Sequence, residues 1–112
     1  MKKIEAVFRP EKLEPVRKAL AEAGIFGMTV SEVSGRGKQK GITLQWRAGD
    51  YCVELLPKVK IELVVLDEDV STTVHTIISK ARTGERGDGK IFVLPVDNVI
   101  RIRTGDDGVN AV

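Results

Sequence analysis

Three short stretches carry residue types that bind anions. The first is Thr83-Gly84-Glu85-Arg86-Gly87-Asp88-Gly89-Lys90. Three glycines within six positions let a backbone turn tightly and aim several N–H groups at one point, and Lys90 adds positive charge at the exit. The loop is not a Walker A sequence, because Lys90 is followed by Ile91 rather than Ser or Thr, and by a strand pattern rather than a helix. A helix-to-strand connection rich in turn residues reads the same way. The second stretch is Arg101-Ile102-Arg103. In a strand the two guanidinium groups share one face at roughly 7 Å, a separation suited to a polyphosphate; a solvated edge strand carries the same pattern. The third is Gly35-Arg36-Gly37-Lys38-Gln39-Lys40-Gly41. Backbone donors and cations cluster there again. Either a small dicarboxylate or phosphate sits there, with Lys58 closing over it, or the stretch is a solvated loop.

Other chemistry lacks its parts. His75 is the one histidine, so a His-based metal cluster is not available, and it reads as a surface residue of a helix. Cys52 has no CxxC partner and no nearby His. No Ser-His-Asp pattern is visible, and the Asp106-Asp107 pair falls in a polar tail. The expectation is a binding protein, not an enzyme.

The elements that must position these residues follow from periodicity. Residues 2–9 alternate, with Ile4, Ala6 and Phe8 on one face and Glu5, Val7 and Arg9 on the other, and Pro10 ends the strand. Leu13, Val16, Leu20 and Ala23 recur at helical spacing over 11–23, and Gly24 is a C-terminal stop. Residues 28–34 are β-rich. The stretch from about 36 to 55 shows no clean period and reads as a long functional excursion. Val59, Ile61, Leu63 and Val65 then alternate with Lys58, Lys60, Glu62, Val64 and Leu66. Asp67-Glu68-Asp69 opens a second helix and Lys80 and Arg82 close it, with Val70, Val74, Ile77, Ile78 and Ala81 as its buried stripe. Residues 90–94 form a further strand, and 100–103 a short fifth one. This order predicts an α+β fold, the ferredoxin-like βαββαβ sandwich with a long loop between strands 2 and 3. Two helices cover one sheet face. The other still carries Val7, Val64, Phe92 and Leu94, which predicts a homo-oligomer.

Bulk properties narrow the class. With 112 residues the chain fits one domain, 1–112, ending in a C-terminal segment at about 101–112. Hydrophobic residues make up 42% and charged residues 30%, an ordinary globular balance. A net charge of +2, from 18 basic and 16 acidic residues, is too balanced to argue for nucleic acid. One cysteine excludes an intrachain disulfide and fits a reducing cytoplasm. Glu5 interrupts what a signal peptide would need, and no apolar run approaches roughly 18 residues. The expected localisation is cytoplasmic, with any membrane connection made through a protein partner.

The residues of the glycine loop, continued through Ile91-Phe92-Val93, resemble the C-terminal signature of the nitrogen regulatory PII family. Gly27-Met28-Thr29-Val30-Ser31-Glu32-Val33, Gln39-Lys40-Gly41, Leu56-Pro57-Lys58-Val59-Lys60-Ile61-Glu62 and Arg101-Ile102-Arg103-Thr104-Gly105 resemble it too, so the likeness spans essentially the whole chain. The resemblance implies a trimer of ferredoxin-like subunits that binds ATP or ADP in the clefts between them. It places Gly37, Lys38, Gln39, Gly87, Asp88, Gly89 and Lys90 around the nucleotide, with Arg101 and Arg103 from the neighbouring subunit, and Thr29, Glu62 and Val64 on the adenine and ribose side. It implies that Mg-ATP creates a site for 2-oxoglutarate. Gln39 would ligate the Mg2+, backbone groups near Gln39, Lys40 and Gly41 would hold the acid, and Lys58 would pair with its distal carboxylate. The long loop would then report the ligand state to an ammonium channel, a regulatory kinase or an enzyme of nitrogen assimilation.

Departures cluster in that loop. Position 38 is Lys where the family usually has Arg, which turns a bidentate contact into a point contact. Trp46-Arg47-Ala48-Gly49-Asp50-Tyr51 replaces the familiar Tyr-Arg-Gly-Ala-Glu-Tyr segment; Tyr51 stays as a candidate for nucleotidylylation, while Gly49 excludes phosphorylation at its own position. Ile42 and Leu44 replace more polar residues and point to a partner unlike the commonest ones. The rival reading within the family is a paralogue that senses adenylate nucleotides only and controls a dedicated transporter.

Overall fold

The computed structural model describes residues 1–36, 43–46, 49–52 and 55–112. The first strand, β1 (Lys2–Phe8), alternates as its sequence dictates, with Ile4, Ala6 and Phe8 buried. A 3-10 turn beginning at Pro10 leads into α1 (Leu13–Glu22). Pro15 sits in the first turn of α1, where its missing N–H would have had no helical acceptor. The helix ends at Gly24 (φ 82°): the Gly24 N–H donates to the Ala21 carbonyl and the Ile25 N–H to the Leu20 carbonyl, both at 2.9 Å. This paired closure needs a left-handed residue, and glycine takes it without strain.

The next strand is β2 (Thr29–Gly35). It is followed by β3 (Thr43–Trp46) and β4 (Gly49–Cys52), which pair antiparallel with Leu44 opposite Tyr51. Both lie within the long excursion expected at about 36 to 55, where the sequence shows no clean period. The ten-residue β5 (Leu56–Val65) buries Val59, Ile61, Leu63 and Val65 as the alternation requires. The acidic triplet Asp67–Asp69 forms a 3-10 turn ahead of α2 (Val70–Ala81) instead of its first helical turn. On α2, Ile77 and Ala81 are buried, and so is Thr73, which the apolar stripe omitted. Its hydroxyl donates to the Asp69 carbonyl at 2.7 Å, which is how a polar side chain enters the core. His75 is exposed, as expected.

The last strand is β6 (Gly89–Pro95). The four main strands lie in the order β2-β5-β1-β6, with each neighbouring pair antiparallel. With both helices on one face, this is the ferredoxin-like α+β fold. The core lies between sheet and helices, where Val16 and Leu20 of α1 and Ile77 of α2 meet the inward residues of β1 and β5. On the opposite face Phe92 and Leu94 remain exposed, beside half-buried Val7 and Val64. That open face also carries Lys3, Glu5, Lys60 and Glu62.

The stretch 100–103 is not a strand. Ile100 forms an isolated bridge to Asp107, the Arg101 N–H donates to the Asp106 carbonyl, and the Gly105 N–H donates back to Arg101. Gly105 (φ 74°) and Gly108 (φ 63°) turn the chain, and the Asn98 side chain accepts the Gly108 N–H. Arg101 and Arg103 therefore lie in a turn, and strand alternation does not govern their spacing.

Candidate anion-binding site

The glycine loop joins α2 to β6, and Asp88 folds it onto itself. The Asp88 carboxylate accepts the backbone N–H groups of Thr83 and Gly84, each at 2.9 Å, and the Thr83 hydroxyl. That hydroxyl also accepts the Glu85 N–H at 3.1 Å. Gly84 (φ 89°) and Gly87 (φ 95°) take the positive-φ turns. The Thr83 hydroxyl, the two amides and Arg9 together outweigh partial loss of hydration and hold the Asp88 carboxyl well below the usual carboxylate range.

A carboxyl depressed in the folded state stabilises the protein above its unfolded pKa, near 4. That contribution is lost as pH falls through the unfolded value toward the folded one. Asp88→Asn is therefore expected to flatten the acid limb of the stability curve. Urea unfolding between pH 6 and pH 3 should show the wild type losing its advantage over the variant as pH falls. Parallel curves would contradict this.

Two cations from the sheet grip the same loop. Arg9, just past β1, donates from Nη2 to the Arg86 carbonyl at 2.6 Å and from Nε to the Asp88 carboxylate at 3.2 Å. Lys58, near the start of β5 and only 8% exposed, donates to the Gly87 carbonyl at 2.5 Å. Burial pushes the Lys58 ammonium below the usual lysine range; the Arg9 charge adds to this, while Glu11 and Asp88 oppose it. Sequence reasoning missed Arg9. Its partners lie 77 and 79 positions away, and no local pattern reports contacts at that separation.

Three of the loop's amides are used internally. Residues 86 and 87 form a hydrogen-bonded turn that faces the Asp88 N–H toward the Glu85 carbonyl, and among the described residues the Gly87 N–H donates to no protein acceptor. Lys90 follows three positions on, on the open face opposite Val7. A free amide at a positive-φ glycine, followed closely in sequence by a lysine, supplies the donors that hold a phosphate or carboxylate oxygen. Asp88 itself turns its carboxylate inward, where it braces the loop.

The other expected residues distribute in two groups. Thr29 pairs with Glu62 across β2 and β5, and Val64 follows two positions on, so these three share the open face. Glu62 is held by Lys3 at 2.9 Å and Lys60 at 3.1 Å, and those hydrogen bonds keep its carboxyl below the usual range. Arg101 and Arg103 are not joined to the loop in this chain. Strand β6 runs from Gly89 to Pro95, roughly 20 Å, and the chain leaves the sheet at the end away from the loop. Gly37, Lys38, Gln39, Lys40 and Gly41 lie outside the described residues; Tyr51 is placed only as a backbone position in β4.

A groove of about 400 Å³ opens between α2 and β6, lined by Val74, Ile78 and Ile91 together with Gly89 and Lys90. Among the described residues, no helix is long and apolar enough to cross a membrane.

Comparison with known proteins shows the family. A family model described as Nitrogen regulatory protein P-II matches residues 1–106. Nitrogen regulatory protein P-II 2 of Methanothermobacter thermautotrophicus is 61% identical over 112 residues, covering all of this chain and 97% of the relative. Nitrogen regulatory protein P-II of Klebsiella oxytoca and nitrogen regulatory protein P-II 1 of Escherichia coli strain K12 are each 59% identical over the full length of both chains. A whole-chain match of this identity, on a ferredoxin-like sheet that sets a braced glycine loop beside Lys58, shows that the chain belongs to the nitrogen regulatory protein P-II family.

Proposed function

We propose that the protein is a P-II signal transducer that binds ATP or ADP at the glycine loop and 2-oxoglutarate in the presence of Mg-ATP. In this reading it works as a homotrimer and docks the segment 36–55 onto a protein of nitrogen metabolism, such as an ammonium channel, a regulatory kinase or an assimilation enzyme. The observation that carries the nucleotide reading is the unpartnered Gly87 amide on a braced glycine loop, with Lys90 three positions on. Together they offer a phosphate a backbone donor and a charge without an enclosing cage.

Thr29, Glu62 and Val64 would meet the base and sugar on the open face. Lys58, with Arg9 near enough to affect its charge, offers a dicarboxylate a dehydrated cation. Magnesium would arrive on the triphosphate, and Gln39 is the residue we assign to it. The exposed Phe92 and Leu94, together with Ile102 at 99% exposure, supply apolar surface for neighbouring subunits, and the turn at 101–104 would bring Arg101 and Arg103 to a neighbour's loop. Docking onto other proteins would be regulation rather than catalysis, and a cytoplasmic location fits such partners.

Native mass spectrometry with ADP titration tests both parts. The expected result is a trimer that takes up to three ADP. A monomer that binds no ADP would contradict the proposal.

A further inference from the structure

The free Gly87 amide of the loop has a cause in the residues behind it. In a trans peptide the C=O and the following N–H point in opposite directions, and none of the chain's described peptides is cis. The Arg86 carbonyl and the Gly87 N–H belong to one such unit; the Gly87 carbonyl and the Asp88 N–H belong to the next. Arg9 Nη2 holds the first carbonyl at 2.6 Å and Lys58 Nζ holds the second at 2.5 Å. Each cation draws an oxygen toward the sheet and so turns the paired N–H away from it. Arg9 Nε also fastens the Asp88 carboxylate, which in turn ties down the amides of Thr83 and Gly84.

The geometry points to Arg9 as a positioning residue of the anion loop. Through the Arg86 carbonyl and the Asp88 carboxylate it fixes the direction of the Gly87 amide, and so sets the affinity of the loop for a nucleotide phosphate. This inference rests on the reading that nucleotide phosphates bind at the loop. It concerns what makes the loop competent, and it gives one arginine two simultaneous contacts that a lysine cannot reproduce.

The test uses Arg9→Met, Arg9→Lys, Asp88→Asn and the double variant Arg9→Met/Asp88→Asn. ADP affinity is measured by calorimetry, and amide hydrogen exchange at Thr83 and Gly84 is measured without nucleotide. Arg9→Met is expected to weaken ADP binding about tenfold and to speed exchange at both amides. Arg9→Lys keeps the charge and should restore less than half of the lost binding free energy. The double variant should lose about as much as the worse single variant, because the two residues act as one unit. Full rescue by Lys, strictly additive losses, or unchanged exchange in Arg9→Met would each overturn the inference. Wild-type protein that binds no ADP would sink the nucleotide reading instead, and the exchange at Thr83 and Gly84 would still decide whether Arg9 braces the loop.

Discussion

Gly89→Ala is expected to destabilise the protein by about 3 kcal/mol or more, a large share of the 5–15 kcal/mol typical of a domain. Gly89 opens β6 opposite Phe8 with φ at 105°. An alanine Cβ there would lie 1.8 Å from the Val7 carbonyl oxygen and 2.9 Å from Phe8 Cα. Both are backbone atoms of a central strand, so no rotamer change relieves the clash. Either β6 separates from β1 at this end or the glycine loop shifts. Gly84→Ala is the control. Its φ is also positive, at 89°, but a Cβ there meets nothing within 4 Å, so only the conformational cost of roughly 1–2 kcal/mol applies. Urea unfolding of both variants should show a much larger midpoint shift for Gly89→Ala. Similar small shifts would contradict the close approach of the loop to β1.

Lys58→Met is expected to separate function from stability. The ammonium is nearly buried, and its depressed pKa means that the folded state disfavours the charge. For a lysine whose folded pKa lies below the unfolded value, that destabilisation is fully present below the folded pKa. It is relieved as pH rises through the folded pKa toward the unfolded one. Methionine fills a similar volume without the charge, so stability at pH 7 should be unchanged or higher. 2-Oxoglutarate affinity should fall about tenfold to a hundredfold, the range for losing one charge-assisted contact. ADP affinity should fall less, because the Gly87 carbonyl loses its donor while Arg9 still holds Arg86. Calorimetry with each ligand, alongside urea unfolding, checks the pattern. Unchanged 2-oxoglutarate binding in Lys58→Met would remove Lys58 from the acid site.

The periodic parts of this fold were legible because burial follows local alternation. Val59, Ile61, Leu63 and Val65 point inward for the same reason that Ile4, Ala6 and Phe8 do: each faces helices across one sheet. Gly24 was readable as a stop because a left-handed helix end favours glycine wherever the helix packs. What did not read from the sequence comes from pairing between segments or from turn chemistry. Thr43 to Trp46 pair with Gly49 to Cys52, and a pairing of that kind leaves only a weak trace in either short segment. Arg101-Ile102-Arg103 alternates like a strand, yet Gly105, Gly108 and the Asn98 side chain fold it into a turn. Asp88 was legible as part of an anion loop, but its carboxylate serves Thr83, Gly84 and Arg9. Arg9 itself read as the outward end of a strand. Only the closing of β6 beside β1 brings residues 86–88 within its reach.

Joint sensing, in which nucleotide and acid are read together, is decided by titrating 2-oxoglutarate into the protein by calorimetry under four conditions: alone, with Mg2+, with ATP, and with both. Binding is expected only when ATP and Mg2+ are both present, with ATP binding tightened reciprocally by the acid. No 2-oxoglutarate binding under any of the four conditions, in protein that still binds ATP, would contradict it and would leave a sensor of adenylate nucleotides alone.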